Sequence, residues 1–238
     1  MAHQKEAASD SKPIESRYHE LVDRLRSAEI RFNRPVGSVC LVAVSKKHSP
    51  SAVRRVNNLG QNDFGENQLQ ESLTKIKDLS GLSLSWHFIG SIQTNKCRDI
   101  AIHFDWVHSI DRLKIAERLS AFRPIGLKPL NVFLQVNLQK EPTKSGINPN
   151  DLLQLANDIS KLKNLRVQGL MAIPKPSPDF NQQRQAFKLL RDMRADLNRT
   201  LNLDLQYLSI GMTDDLEAAV AEGATHVRIG TAIFGPRE

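Results

Sequence analysis

Two adjacent lysines close the stretch "LVAVSKKHSP" (41–50). An apolar, β-branched run that ends in lysine sets an amine at the mouth of a buried strand. Apolar surroundings lower an amine's pKa and free its lone pair, so such a lysine can form a Schiff base with a ligand aldehyde. Strand alternation puts Lys46 on the face of Val42 and Val44, and Lys47 on the face of Ala43 and Ser45. Only one of the two can point inward, and parity alone does not say which. Two stretches near the C-terminus, "SIGMTDD" (209–215) and "RIGTAIFG" (228–235), each pair a glycine with a hydroxyl. Gly211 and Gly230 let backbone N–H groups approach an anion closely, and Ser209 and Thr231 supply the hydroxyls. An amine and two anion-adapted loops point to a phosphate-bearing ligand. No metal site is read, because the seven histidines form no i, i+4 pair and no HExxH motif.

These residues need elements that bring them together. Apolar, strand-like runs occupy 39–45, 62–65, 85–90, 105–110, 130–138, 165–173, 203–210 and 225–230. Segments of helical period lie between them at 50–59, 67–79, 91–102, 111–122, 149–162, 180–199 and 214–222. Punctuation supports several of these, such as Ser49-Pro50 at a helix start and Gly223 at a helix end. A further helix precedes the first strand, with Ile14, Tyr18, Leu21, Leu25, Ala28 and Phe32 on one face. Strict β–α alternation implies a parallel sheet, and eight strands suit a closed barrel. An open doubly wound sheet is the competitor, but neither GxGxxG nor GxxxxGK[ST] is present. The fold class is therefore read as α/β: a single-domain (β/α)8 TIM barrel over 14–238, preceded by a disordered tail over 1–13. The N-terminal helix is expected to pack where the helix after the eighth strand normally goes. The site is expected at the C-terminal strand ends, the functional face of this fold.

Composition narrows the class of function. The chain has 238 residues and a net charge of +7, with no apolar run long enough to cross a membrane. The basic residues are interspersed with acidic ones along helical segments, which argues against a nucleic-acid stripe. Cys40 and Cys97 stand alone and are read as core-filling residues of a reduced, cytoplasmic protein. Nothing indicates a coiled coil, and a monomer is expected.

"AVSKKHS", "FGENQLQE", "HFIGSIQTNK", "GLMAIP", "LSIGMTDDLEAAV" and "VRIGTAIFG" together closely resemble the pyridoxal 5′-phosphate homeostasis protein family, over about residues 39–235. The resemblance implies a barrel of the alanine-racemase N-terminal type with pyridoxal 5′-phosphate (PLP) bound as a Schiff base. It implies that Lys46 is the PLP lysine and that Lys47 is peripheral. It likewise implies that Ser209 and Gly211 form a phosphate-binding loop, that Gly230 and Thr231 form a second phosphate-binding strand end, and that Arg228 faces the pyridine nitrogen. Asn67 matches a cofactor-pocket position, although it could instead cap the helix it opens. Ile210, Thr213, Gln68 and Ser91 depart from the family's usual residues. Glu66 and Asp111 are read as rim charges and His87 as a packing residue, so no catalytic residue is assigned. The function implied is that of a PLP-binding protein that holds the cofactor and delivers it to PLP-dependent apo-enzymes. The alternative is an amino-acid racemase-like enzyme. Alanine racemases, however, place an acid–base group on each face of the cofactor and carry a further β-rich C-terminal domain, and neither Tyr18 nor Tyr207 is obviously placed as the opposing base.

Overall fold

The computed structural model describes residues 12–139, 141 and 145–236. The tail expected over 1–13 lies outside them except for Lys12 and Pro13. The strands are β1 (Cys40–Val44), β2 (Asp63–Glu66), β3 (Ser85–Phe88), β4 (Trp106–Ile110), β5 (Leu130–Gln135), β6 (Leu165–Met171), β7 (Tyr207–Ser209) and β8 (His226–Ile229). Each pairs in parallel with the next, and β8 pairs back onto β1, which closes the barrel. The helices are α1 (Ile14–Arg31), α2 (Pro50–Asn57), α3 (Leu69–Asp78), α4 (Cys97–His103), α5 (Leu113–Phe122), α6 (Leu152–Ser160), α7 (Phe180–Leu201), α8 (Leu216–Ala221) and α9 (Thr231–Phe234).

Both faces of the strands are covered, so they read as apolar runs rather than alternating ones. Leu41, Ala43, Phe64, Phe88 and Val107 belong to the core layer that also holds the buried faces of the helices. The opposite face looks into the barrel and differs in character. His87, Trp106, His108, Phe133, Tyr207 and His226 come from five strands, and their rings pack against one another. Barrels of this architecture usually fill that space with branched aliphatics. Here it is aromatic and polar.

Helix α1 packs against α8, α9 and α2, the place expected for it. Ile14, Tyr18, Leu21, Leu25 and Ala28 are buried under it, and full burial of a large apolar side chain contributes about 1.5–3 kcal/mol. Arg17 donates to the carbonyls of Ile233 (2.9 Å) and Phe234 (3.0 Å), and Arg24 makes a bidentate pair with Glu217 (2.7 and 2.6 Å). Several boundaries differ from those read in the sequence, three of them near the site or the strands that carry it. The strand expected at 203–210 is confined to Tyr207–Ser209, because the chain leaves α7 through a left-handed Asn202 (φ 51°) and Asn198 ties Leu205 to the helix end. Strand β5 stops at Gln135, and Val136 forms only an isolated bridge with Ile147. The segment 231–234, read as part of a loop, is the short helix α9.

Candidate functional site

A cavity of about 210 Å³ opens at the C-terminal end of the barrel, lined by Val44, Lys46, His48, Asn67, Ile89, Ile173, Met212, Thr213, Arg228, Gly230 and Thr231. Ligand pockets for drug-sized molecules run to about 300–1,000 Å³. This one suits a single substituted ring.

The two lysines separate at once. Val42 pairs with Arg228 and lies against the Cα of Gly65 on the barrel interior, so the Val42–Val44–Lys46 face is the inward one. Lys46 lines the cavity. Lys47 is exposed and adopts a left-handed backbone (φ 65°), while its N–H donates to Glu71 Oε1 at 2.6 Å. His48 N–H closes the turn onto the Ser45 carbonyl at 3.0 Å, and its ring stacks on Phe234 with centroids 4.8 Å apart.

A buried ion cluster clamps this turn from behind. Lys75 Nζ donates to Glu66 Oε1 (2.6 Å), to the Ser45 carbonyl (2.8 Å) and to Glu71 Oε1 (3.1 Å), and Ser45 Oγ donates to Glu66 Oε1 (2.6 Å). Glu66 is 0 % and Lys75 2 % exposed. Glu66 is therefore not the rim charge its position in "FGEN" implies; β2 alternation turns it outward from the barrel, under α3. Burial raises its pKa, against the lowering effects of Lys75 and Ser45.

Arg228 stands on the same inward face and is 5 % exposed. Its Nη1 donates to Ser209 Oγ at 2.6 Å and its Nη2 to the Ala172 carbonyl at 3.1 Å. Burial lowers its pKa to about 10, which leaves it cationic at neutral pH. Among the described residues its hydrogen-bond partners are a hydroxyl and a carbonyl, not a core carboxylate.

Gly230 and Thr231 line the cavity from the end of the neighbouring strand β8. A Cβ on Gly230 would lie 2.9 Å from the Val44 carbonyl oxygen, so only glycine lets β8 run so close to the Lys46 strand. The other pair expected at a phosphate is placed differently. Ser209 is fully buried inside the barrel, because alternation in β7 turns it inward with Tyr207, and its hydroxyl is engaged by Arg228 and His108. Gly211 is buried too, at φ 97°, with its α-carbon packed toward Ala219 so tightly that a Cβ would come within 2.6 Å of that side chain. It shapes the loop, while the neighbouring Met212 and Thr213 reach the cavity.

Asn67 lines the cavity and does not cap α3, whose N-cap is Gln68. Among the described residues its Oδ1 is buried with no hydrogen-bond partner. Such an orphan costs about 1–3 kcal/mol and is the kind of acceptor a bound ligand satisfies. His48, Ile89, Ile173 and Met212 escaped sequence reasoning. Only His48 had a signal, its place directly after the lysine pair.

The donor set fits PLP in kind: an amine for the aldehyde, a permanent cation for the ring nitrogen, hydroxyls and a glycine-bounded wall for the phosphate, and apolar walls for the ring.

Comparison with known proteins identifies relatives of this chain. Residues 21–238 match the family model described as alanine racemase, N-terminal domain. The pyridoxal phosphate homeostasis protein of Pseudomonas aeruginosa is 55% identical over 90% of this chain and 92% of its own length. That of Escherichia coli K12 is 45% identical over 91% of this chain and 93% of its own. Among solved structures, PipY of Synechococcus elongatus with PLP bound superposes with a TM-score of 0.79 at 38% identity, over 88% of this chain and 98% of that one. An alanine racemase from Corynebacterium glutamicum shares the fold, with a TM-score of 0.72 at 15% identity over 94% of this chain and 62% of that one.

Proposed function

The chain belongs to the pyridoxal phosphate homeostasis protein family, and from that premise we propose that it binds PLP in the barrel-mouth cavity and acts as a non-catalytic holder and donor of the cofactor. When bound, PLP supplies an aldehyde to which a lysine amine adds with loss of water. Lys46 is the amine. Arg228 donates to the ring nitrogen, Asn67 meets a polar ring substituent, and Thr213, Gly230 and Thr231 receive the phosphate. The observation that carries this reading is the convergence of Lys46, Arg228, Asn67 and Thr231 on one small cavity. Ser209 and Gly211, expected at the phosphate, support it from behind: one fixes Arg228 and the other fixes the loop that presents Thr213.

Holding rather than turnover follows from the same residues. A guanidinium only donates hydrogen bonds, so Arg228 leaves the ring nitrogen unprotonated and the cofactor a weak electron sink. Two-sided proton transfer also needs acid–base groups on both faces. Among the described residues, the titratable groups lining the cavity are Lys46, His48 and Arg228, and neither Tyr18 nor Tyr207 lines it. The rim is open and apolar, with Ile173 42 % and Met212 38 % exposed, which leaves the cofactor within reach of an acceptor apo-enzyme. A monomer acting in the cytoplasm is the form proposed. No helix among the described residues is long and apolar enough to cross a membrane.

Titration with PLP and with pyridoxal tests the reading. PLP is expected to bind far more tightly than pyridoxal. Thr231→Val should weaken PLP roughly 10- to 100-fold, since a hydrogen bond to a charged group contributes about 1.5–3 kcal/mol, and should leave pyridoxal unchanged. Equal affinity for the two ligands would remove the phosphate site. Incubation of the loaded protein with alanine or serine should leave the enantiomer ratio unchanged. A turnover near the enzyme median of about 10 s⁻¹, lost in Lys46→Ala, would instead establish the racemase-like reading.

A further inference from the structure

The polar groups inside the barrel are joined end to end. Asp63 Oδ1 lies 3.0 Å from His87 Nε2, His87 Nδ1 lies 2.9 Å from His108 Nε2, and His108 Nδ1 lies 2.8 Å from Ser209 Oγ. Ser209 Oγ in turn takes the 2.6 Å bond from Arg228 Nη1. His87, His108 and Ser209 are fully buried, so no water competes for these contacts. The line starts at a second cavity, at the N-terminal end of the barrel, where Asp63 sits with Tyr18, Arg26, Cys40 and Gln61. It ends at the cavity proposed for PLP.

With both imidazoles neutral, chemistry at the two ends sets the direction of every bond. A guanidinium can only donate and a carboxylate can only accept. Arg228 therefore donates to Ser209, whose own hydroxyl proton goes to His108 Nδ1. His108 then carries its proton on Nε2 and donates to His87 Nδ1. His87 carries its proton on Nε2 and donates to Asp63, and Ser85 Oγ lies 3.4 Å from the same ring nitrogen. Both imidazoles are neutral in this scheme, and both are the Nε2–H tautomer. Burial holds the His108 pKa well below the ordinary value. Burial would raise the Asp63 pKa, but the lowering effects of His87, Ser85 and His226 together outweigh it and the carboxyl is held low. His226, beside the line, bonds Thr225 Oγ1 at 3.0 Å instead and is not a link.

We propose that Asp63, His87, His108 and Ser209 form one directional hydrogen-bond relay that holds the Arg228 guanidinium toward the ring nitrogen of the cofactor. Asp63, His87 and His108 are then positioning residues for a ligand that none of them touches. The relay rests on the reading that the upper cavity binds PLP. It explains why this barrel is filled with imidazoles: an aliphatic core would leave Ser209 with no acceptor for its proton and Arg228 with a looser anchor.

Two measurements test it. The first is a long-range proton–nitrogen spectrum of the full chain, without cofactor and labelled with nitrogen-15 on histidine. His87 and His108 should both be neutral with the proton on Nε2. A proton on Nδ1 of either ring, or a cation at neutral pH, would overturn the relay. The second compares PLP with an analogue whose ring nitrogen is replaced by carbon. Asp63→Ala, at the far end of the barrel, should weaken PLP about fivefold, equivalent to about 1 kcal/mol, and leave the analogue unchanged. Equal losses for both ligands, or no loss for either, would refute the coupling. If Asp63→Ala does not fold, Asp63→Leu fills a similar space, offers no acceptor to His87 and should give the same difference between the ligands. Failure of the unaltered chain to bind PLP would sink the PLP reading and, with it, the positioning role; the histidine tautomers would still decide whether the line of bonds exists.

Discussion

Lys46→Ala abolishes covalent attachment of PLP, whereas Lys47→Ala leaves it intact. The two residues are adjacent and chemically identical, so composition cannot separate them. Geometry does. Lys46 continues the Val42–Val44 face into the cavity that Arg228 and Gly230 of the neighbouring strand end also line. Lys47 sits at φ 65°, exposed, with its N–H on Glu71. The left-handed residue reverses the chain just after the functional lysine and so directs the second side chain away. Borohydride should fix PLP to unaltered protein and to Lys47→Ala, and fix none to Lys46→Ala. Residual non-covalent binding by Lys46→Ala, through the phosphate and ring contacts, is expected to be weaker.

The second large effect concerns stability. Lys75→Met leaves Glu66 in a fully buried position without its cation, and such changes cost about 3–5 kcal/mol. That is a large fraction of the about 5–15 kcal/mol by which a native protein is stable. The penalty should depend on pH with a definite sign. The native pKa of Glu66 is raised, chiefly by burial. Between the ordinary glutamate value and that raised value, the native state holds a proton that the unfolded chain has lost, so stability falls as pH rises. Without Lys75 the effect widens. Chemical denaturation should show the deficit of Lys75→Met to be greatest near pH 8 and smaller at acid pH, where a protonated Glu66 needs no cation. A deficit that grows on acidification would contradict the assignment of Lys75 as the counter-charge. Because the same cluster holds the 45–48 turn, Lys75→Met should also slow attachment of PLP to Lys46.

The frame of this molecule was legible in its residues. Alternating apolar runs and helical segments gave eight strands in barrel order, and Ser49-Pro50 and Gly223 marked helix ends where they occur. The positions Lys46, Asn67, Arg228, Gly230 and Thr231 do share one cavity. Four things were not legible. The inward parity of Lys46 depends on which strand face the closed barrel turns inside, a property of the whole sheet. The role of Ser209 depends on His108, which lies 101 residues away in the chain. His87 and His108 meet across neighbouring strands from 21 residues apart, and nothing in either local segment signals the contact. Glu66 looked like a rim charge because its partner Lys75 is on the far side of a helix start, where the local pattern shows only a solvated basic residue.

Reduction of the PLP-loaded chain with borohydride, followed by proteolysis and fragment sequencing in the mass spectrometer, locates the cofactor on a single residue. One pyridoxyl group on Lys46 is the expected result, displaced by neither Lys47 nor any surface lysine, and lost when PLP is replaced by its reduced, aldehyde-free form. A pyridoxyl group on Lys47, or labelling scattered over exposed lysines with Lys46 untouched, would contradict the site and the function built on it.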